Sequence, residues 1–474
     1  MDAKTIRSAF LSAIPLQFDR MPELKFVYFP IKHLRALNPE VPLVRGIRGA
    51  GKSVFWEVHQ LPTWNQLLCR FFPDYPADLR VKVTPGFGED YQHHHYPDKD
   101  TLAALLPKHS ARLIWRTVIV WHICNGLPSL NRWNERVDWL AQNAETAAEM
   151  IHSADQALAT QSGLHQIVFD ALDRTADIWD ERTQLLKGLL QNLLEFRTTR
   201  CIRLKAFVRP DMLIDPEISR FPDASKILAD PAELRWQRAE LFGLLWQYLG
   251  NASTGGREFR ELIQSESGAS PAHDYQYNIF DMPPAMNANE SLQRQVFHQL
   301  AGEWMGNDVR RGSPYTWLPN HLADGSDQVS PRSFLAALRE AAELTYQRYP
   351  EHSTPLRYDA IKQGVQKASQ IRVQEATEDL PWLMEVMKPL KHQVVPCDIV
   401  AIEQLWKDDQ LSTRLSKELR GVLPSRANHF AAGLVEQLKA LGIFTMMPNS
   451  RINMPDVYRV GFGLGRRGGI KPLR

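Results

Sequence analysis

Short apolar runs in the first half of the chain predict the strands of a buried sheet. These runs cover residues 41–44, 79–84, 167–169 and 202–208. Stretches with the apolar periodicity of helices separate them, at residues 54–72, 111–123, 133–158 and 181–198. Strands that alternate with helices form parallel sheets, because each helix carries the chain back to the edge where the next strand starts. We therefore predict a parallel sheet with flanking helices, closed by a helix over residues 234–249.

The pattern changes after residue 250. Residues 251–289 are rich in Gly, Ser, Ala, Pro and Asn, which predicts a linker or a large loop. Predicted helices follow at residues 291–305, 331–349, 359–387 and 398–406. The last pattern, with helices at 411–419 and 427–441 and strands at 443–447 and 451–454, is typical of a winged helix. The predicted domains are a core at 1–250, a linker and helical lid at 251–405, and a winged helix with a basic tail at 406–474.

The composition is that of a soluble globular protein. The chain has 474 residues, of which 44% are hydrophobic and 23% are charged. Its net charge is only +2, so contact with nucleic acid would need a local basic patch. The four cysteines form no C-x-x-C pair, which indicates a reducing compartment. With no signal-peptide pattern and no apolar run of about 18 residues, we expect a cytoplasmic protein without a membrane segment.

The clearest chemical signal is the segment GIRGAGKS at residues 46–53, between the first predicted strand and the first predicted helix. The spacing G-x-x-x-x-G-K-S is that of a phosphate-binding loop. Its glycines let backbone N–H groups point at phosphate oxygens, Lys52 reaches the β and γ phosphates, and the Ser53 hydroxyl ligates Mg²⁺. The residues predicted to bind a nucleotide and Mg²⁺ here are Gly46, Arg48, Gly49, Ala50, Gly51, Lys52, Ser53 and Val54. The predicted fold class is thus an α/β P-loop NTPase core, followed by a helical region and a C-terminal winged helix.

Charged residues follow two further predicted strands of the core. Asp170 comes directly after the run 167–169, and Asp173 lies one step further on. An acid in that position can hold the Mg²⁺ shell, and a second carboxylate can orient the attacking water. Arg209 follows the run 202–208, where a cation would lie beside the γ-phosphate. The alternative for Arg209 is an ion pair with a surface aspartate.

The segments GIRGAGKS, VFDALDR and LKAFVRPDM, in this order, resemble the STAND and KAP-type P-loop ATPases. The resemblance implies that Lys52 and Ser53 contact phosphate and magnesium, that Asp170 binds magnesium, that Asp173 is the catalytic acid, and that Arg209 is a sensor of the γ-phosphate. In that family the second acid often directly follows the first. Here Ala171 stands between them, which leaves the rate of hydrolysis open.

The segment from residue 315 onward is similar to the lid of these ATPases, where a polar residue or an arginine returns to the nucleotide. The candidates in this chain are His321 and Arg332. A structural alternative exists near Arg332, since Ser330 can cap a helix that starts at Pro331. Neither a repeat array nor an effector signature is evident in the sequence, so we expect the chain to act through a partner protein or by self-assembly.

Three readings of the function remain open from the sequence. The favoured one is a Mg²⁺-dependent regulatory switch that binds and hydrolyses ATP, which the resemblance associates with bacterial antiphage defence. The second is a DNA-binding ATPase that uses the predicted winged helix and a basic tail containing Arg459, Arg466, Arg467, Lys471 and Arg474. The third is a scaffold in which ATP is structural.

Overall fold

The computed structural model describes residues 2–18, 20–72, 80–90, 92–124, 130–418 and 431–472. Parts of three predicted elements, at residues 79, 419 and 427–430, lie outside the described residues, and so does Arg474 of the basic tail. Among the described residues, no helix combines the length and the apolar character that a membrane span requires.

A five-stranded parallel sheet forms the centre of the described part of the core. Its strands, in the spatial order β2-β3-β4-β1-β5, are β1 (Leu43–Arg45), β2 (Arg80–Phe87), β3 (Gly163–Phe169), β4 (Ile202–Val208) and β5 (Ala232–Glu233). Every neighbouring pair is parallel. The predicted parallel sheet is therefore confirmed, although the sequence pattern does not reveal β5, which has only two residues. Because β4 lies between β1 and β3, the carboxyl ends of these three strands lie side by side.

Helices cover both faces of the sheet. They are α1 (Ala3–Ala13), α2 (Lys52–His59), α3 (Trp64–Phe71), α4 (Lys99–Leu105), α5 (Ala111–Ile123), α6 (Trp133–Gln142), α7 (Ala144–Thr160), α8 (Trp179–Phe196), α9 (Ser225–Leu228) and α10 (Arg238–Gly250). The single helix predicted over 133–158 is thus two helices, separated at Asn143.

Each face of the sheet has its own hydrophobic core, because successive side chains of a strand point to opposite faces. Ile167 and Ala206 pack in one cluster with residues of α5 and α8. Val168 and Phe207, the next residue along each strand, pack in the other cluster with residues of α2 and α10. Burial on both faces explains why the core strands are nearly continuous apolar runs.

Residues 251–405 are mostly helical. The elements are α11 (Gly256–Ser267), α12 (Ala285–Ala288), α13 (Glu290–Ala301), α14 (Pro314–Leu322), α15 (Pro331–Arg348), α16 (Tyr358–Asp379), α17 (Trp382–Met387) and α18 (Ile399–Asp408), with a two-stranded antiparallel ribbon of β6 (Ala272–Asp274) and β7 (Ile279–Asp281). The helix predicted over 359–387 is α16 and α17, which are separated at Leu380 and Pro381.

The prediction that residues 251–289 form a linker or large loop is wrong. This segment contains α11 and the β6–β7 ribbon, and Phe259 and Ile263 of α11 are fully buried. The abundance of small and polar residues conceals one apolar face, which packs in the same cluster as α1, α10 and α15. The chain past residue 250 is therefore joined to the N-terminal helix by a shared core.

The C-terminal part has a hydrophobic cluster of its own. Its elements are α19 (Leu411–Glu418), α20 (Ala431–Ala440), an antiparallel ribbon of β8 (Thr445–Met446) and β9 (Ile452–Asn453), and α21 (Asp456–Arg459). Helices followed by a ribbon agree with the elements predicted there, while the winged helix and the domain boundaries stay predictions. The Ser369 hydroxyl of α16 donates a 2.6 Å hydrogen bond to the carbonyl oxygen of Val457, which fixes α21 against α16.

Candidate functional site

The predicted phosphate-binding loop joins the carboxyl end of β1 to the first residue of α2. Gly49 and Gly51 have φ angles of +75° and +100°, a backbone region that favours glycine. The Gly46 N–H donates to the carbonyl oxygen of Val208 at 3.1 Å, which fixes the start of the loop to β4. The N-terminus of α2 therefore faces the loop, and its unpaired N–H groups and dipole favour a bound anion.

Lys52 lies inside this loop and is partly buried. Its Nζ donates hydrogen bonds to the carbonyl oxygens of Gly46 and Ile47, at 3.0 and 3.1 Å. Burial lowers the pKa of Lys52, and the nearby carboxylate of Asp170 partly opposes this effect. An ammonium group held by neutral carbonyl oxygens gains from an anionic acceptor, because charge-assisted hydrogen bonds are the stronger ones.

Asp170 and Ser53 form the predicted metal-binding pair. Asp170 follows the last residue of β3 and is almost fully buried, and the Ser53 side chain is hydrogen-bonded to it. Burial raises the pKa of Asp170 to about 6, while Lys52 and Ser53 act in the opposite direction. A carboxylate and a hydroxyl at one point are oxygen ligands of the kind that Mg²⁺ takes, usually together with water and substrate phosphates. The residues present therefore fit a magnesium ion.

No larger ligand set competes with this pair in the part of the chain that the structure describes. Within the described ranges, no group of three or more His, Cys, Asp and Glu residues could hold a metal ion. Magnesium needs no such cage, because it keeps several waters and is bound through one or two protein groups and phosphate.

Arg209 follows β4 and is held by carboxylates from three places in the chain. Its Nη1 lies 3.2 Å from Asp173 Oδ2 and 2.5 Å from Asp379 Oδ2, and its Nη2 lies 2.9 Å from Asp211 Oδ2. Burial acts to lower the pKa of Arg209, but the carboxylates outweigh burial and raise it. Burial likewise acts to raise the pKa of Asp173, but Arg209 and Lys52 outweigh it and lower that pKa, so Asp173 is an anion at neutral pH.

Arg48 of the loop contacts the last turns of α16. Its Nη2 donates to Glu378 Oε2 at 3.0 Å, and its Nη1 donates to the backbone carbonyl of Glu375 at 2.9 Å and to the carboxylate of Asp379. Arg372 of α16 donates in turn to the backbone carbonyl of Arg48 at 3.1 Å. The side chain of Arg48 is therefore held by the helical region. Only the backbone of Arg48 takes part in the loop itself.

The structure brings Arg332 to the loop but not His321. A Cβ on Gly49 would come within 3.2 Å of Arg332 Cβ, and Arg332 Nη1 donates to Glu375 Oε1 at 2.6 Å. Ser330 is the N-cap of α15, which confirms the predicted helix cap before Pro331. His321 instead stacks on Trp317, and its Nε2 lies 3.6 Å from Asp456 Oδ2 of α21. The roles of both residues as nucleotide reporters stay predictions.

Comparison with solved structures gives a distant similarity, whereas the other two comparisons give none. No family model matches the chain. No curated protein matches it either. Among solved structures, the chain is similar to the ORC2 protein of Aeropyrum pernix, solved as ADPNP-ADP complexes, with 12% identity and a TM-score of 0.40 over 94% of this chain and 93% of that one. Similarity at that level carries nothing about ligands or activity.

Several residues at the site are not evident from sequence. Asp379 of α16 contacts Arg209 of the core, Glu375 of α16 contacts Arg332 of α15, and the indole of Trp236 donates to the carbonyl of Ala50 at 2.9 Å. The sequence does contain one signal for these contacts. Carboxylates in the last turn of a helix are repelled by the negative end of its dipole, so the acidic helix end at 375–379 predicts that cations from elsewhere in the chain pair with it.

The site therefore combines the groups that phosphoryl transfer requires. At the carboxyl ends of β1, β3 and β4 it has a loop whose N–H groups favour an anion, a partly buried lysine, a carboxylate and a hydroxyl that fit Mg²⁺, an ionised carboxylate and a buried arginine. Ligands of open α/β sheets bind outside the carboxyl ends of the strands, which is where these groups converge.

Proposed function

We propose that this chain binds Mg²⁺-ATP at the loop 46–53 and hydrolyses it. The observation that carries the proposal is the meeting of Lys52, Ser53 and Asp170 at one point, with the pair Asp173–Arg209 beside them. These residues come from three strands that are distant in sequence, and in-line transfer of a phosphoryl group needs this set.

Each of these site residues has a defined part in the proposed reaction. The loop N–H groups and Lys52 bind the β and γ phosphates, and Ser53 and Asp170 hold the metal, which supplies charge neutralisation at the phosphate oxygens when bound. Asp173, ionised at neutral pH, accepts a hydrogen bond from the attacking water and orients it. Arg209 stabilises the charge that develops on the transferred group.

The contacts of the loop with α15 and α16 support a regulatory role. Arg48 and Gly49 of the loop touch residues of both helices, so a change of loop contacts on nucleotide binding reaches the helical region directly. Together with the resemblance to STAND and KAP-type ATPases, this supports a switch that acts through a partner protein or by self-assembly, in bacterial defence.

The DNA-binding alternative is less well supported by the tail. Arg459 Nε donates to Asp456 Oδ1 at 2.7 Å and Arg466 Nη1 to the same atom at 2.8 Å, so two cations of the basic tail are engaged within the chain, and Arg459 is fully buried. Salt-dependent binding needs cations that can replace the counterions of DNA. Whether DNA stimulates phosphate release therefore decides between the two functions.

The test is phosphate release by the purified chain with ATP and Mg²⁺, with and without DNA. We expect turnover that Lys52→Ala and Asp170→Ala abolish, and that Asp177→Ala, an exposed carboxylate in the segment after β3, leaves unchanged. Equal turnover in Lys52→Ala would refute the proposal. Tight ATP binding without turnover, unchanged in Asp173→Asn, would favour the structural nucleotide, and strong stimulation by DNA would favour the DNA-binding ATPase.

A further inference from the structure

Asp379, the last residue of α16, links two arginines of the core that are distant in sequence. Its Oδ2 lies 2.5 Å from Arg209 Nη1, and its Oδ1 accepts a hydrogen bond from Arg48 Nη1. Arg48 belongs to the phosphate-binding loop, and Arg209 follows β4 beside Asp173. One carboxylate of the helical region thus joins the loop to the predicted γ-phosphate sensor.

The position of Asp379 is unfavourable without these arginines. A carboxylate in the last turn of a helix is repelled by the negative end of the dipole, and Glu375 and Glu378 add two further negative charges within the same helix end. The side chain of Asp379 is only 14% exposed, so water does not solvate it freely. The contact between the end of α16 and the phosphate-binding loop therefore depends on the pairing of Asp379 with Arg48 and Arg209.

A triphosphate would compete for the same donors. Guanidinium groups bind carboxylates and phosphates with the same two-pronged geometry, and phosphate carries the higher charge. Of the carboxylates on Arg209, Asp173 and Asp211 belong to the core and stay beside it, whereas Asp379 belongs to the helical region and can move away as α16 moves.

We propose that Asp379 is an autoinhibitory stand-in for a phosphate group: it occupies Arg48 and Arg209 in the resting protein, and the terminal phosphates of the nucleotide displace it and release the end of α16. The inference rests on the proposed function, since it names the regulation of the same site. A small cleft lined by Arg48, Arg209, Asp379, Arg372 and Tyr458 adjoins this contact and gives the end of α16 room to move.

The test compares three variants of the full chain by their affinity for a fluorescent ATP analogue with Mg²⁺. Asp379→Asn keeps the shape of the side chain and removes its charge, and we expect binding at least roughly five-fold tighter, the lower end of typical coupling between sites. Asp379→Glu keeps the charge and should restore affinity to near the wild-type value. Glu378→Gln is the matched control, because it removes a charge from the same helix turn that contacts Arg48 but is half exposed.

The control separates displacement from general electrostatics. Removal of any carboxylate near a polyanion site raises affinity somewhat, and for the exposed Glu378 we expect less than about two-fold. Equal tightening in Asp379→Asn and Glu378→Gln, or none in Asp379→Asn, would overturn the inference while leaving the proposed function intact. If neither the wild type nor Asp379→Asn binds the analogue, or if Lys52→Ala binds as well as the wild type, the proposed function fails and the inference fails with it.

A second measurement does not depend on nucleotide. Hydrogen–deuterium exchange without ligand should be faster over residues 372–379 in Asp379→Asn than in Glu378→Gln, because the contact that holds the helix end is lost. Protection equal to that of the wild type would show that Asp379 does not hold α16 and would overturn the inference.

Discussion

The indole Nε1 of Trp236 donates a hydrogen bond of 2.9 Å to the carbonyl oxygen of Ala50, in the middle of the phosphate-binding loop. Trp236 follows β5, and the ring of His33 packs edge-on against it with the ring centres 5.0 Å apart. Ala50 is fully buried, so water does not replace the indole as a donor. The loop conformation is therefore held from the edge of the sheet as well as by its own glycines.

Trp236→Phe should loosen the loop. The substitution keeps an aromatic ring and leaves the Ala50 carbonyl without this donor, which costs about 1 kcal/mol of unfolding free energy. If the loop must keep this shape to bind phosphate, affinity for nucleotide falls by up to roughly five-fold. Trp246→Phe is the matched control, because the buried Trp246 indole N–H has no hydrogen-bond partner among the described residues. Urea unfolding and nucleotide titration of both variants give the comparison, and equal losses would contradict the role of the hydrogen bond.

Asp170→Asn should stabilise the protein near neutral pH while it removes activity. Because burial raises the pKa of Asp170 from 3.8 to about 6, the folded state binds more protons than the unfolded state in that window. Stability therefore falls as pH rises through the window and stays lower above it. The variant carries no buried charge and so avoids this cost. At about pH 8 we expect its free energy of unfolding to exceed that of the wild type by roughly 1 to 3 kcal/mol.

The pH dependence provides the check on that prediction. Near about pH 3 Asp170 is largely protonated in both the folded and the unfolded state, so the advantage of Asp170→Asn should disappear there. Urea unfolding at the two pH values measures the difference. An advantage that does not depend on pH would mean that the buried charge is not its cause.

Asp173→Asn should show the opposite sign. Arg209 and Lys52 outweigh burial and lower the pKa of Asp173 in the folded protein, so the ionised group stabilises the fold above the ordinary pKa of 3.8. This contribution is lost as pH falls through the lowered pKa. We expect the variant to be less stable by about 1 to 2 kcal/mol at neutral pH, the scale of a hydrogen bond to a charged group. A melting temperature equal to that of the wild type would contradict the ion pair.

Two glycines of the loop should respond differently to alanine. Gly51→Ala places a side chain where φ is +100° but meets no atom within 4 Å, so only backbone strain of about 1 to 2 kcal/mol is expected. At Gly49 the φ of +75° adds the same strain, and the new Cβ would overlap with the Ser330 hydroxyl. Gly49→Ala should therefore be the less stable by roughly 1 to 3 kcal/mol in thermal unfolding. The reverse order would mean that α15 does not pack on the loop as described.

Gly364→Ala should weaken the packing of α16 on α15. A Cβ at this position would overlap with the carbonyl oxygen of Ala337, so the two helices must separate. Overpacking of this kind costs about 1 to 3 kcal/mol, against a gain of roughly 1 kcal/mol from the better helix propensity of alanine. Lys367→Ala, on the exposed side of the same helix, changes helix propensity by only a few tenths of a kcal/mol and is the near-neutral control. A Gly364→Ala variant whose unfolding free energy exceeds that of the wild type by about 1 kcal/mol, the full propensity gain, would argue against the close approach.

The sequence determined the core strands and the loop, because both are local patterns. A strand buried on both faces must be apolar over most of its length, which makes residues 167–169 and 202–208 visible without any partner. The loop is recognised by the spacing of Gly46, Gly51, Lys52 and Ser53, since the backbone must curl within a few residues. Asp170 and Arg209 followed from the rule that the ends of parallel strands meet at one edge of the sheet.

Only the tertiary structure decided which residues complete the site from outside the core. Asp379 pairs with Arg48 from 331 residues away, and Trp236 donates to Ala50 from 186 residues away. A charged or aromatic side chain does not reveal its partner in sequence, because the partner depends on how whole helices pack. The same limit hid α11 in the segment 251–289, where a few buried apolar residues among many small ones become a helix face only once α1 and α10 are present to cover them.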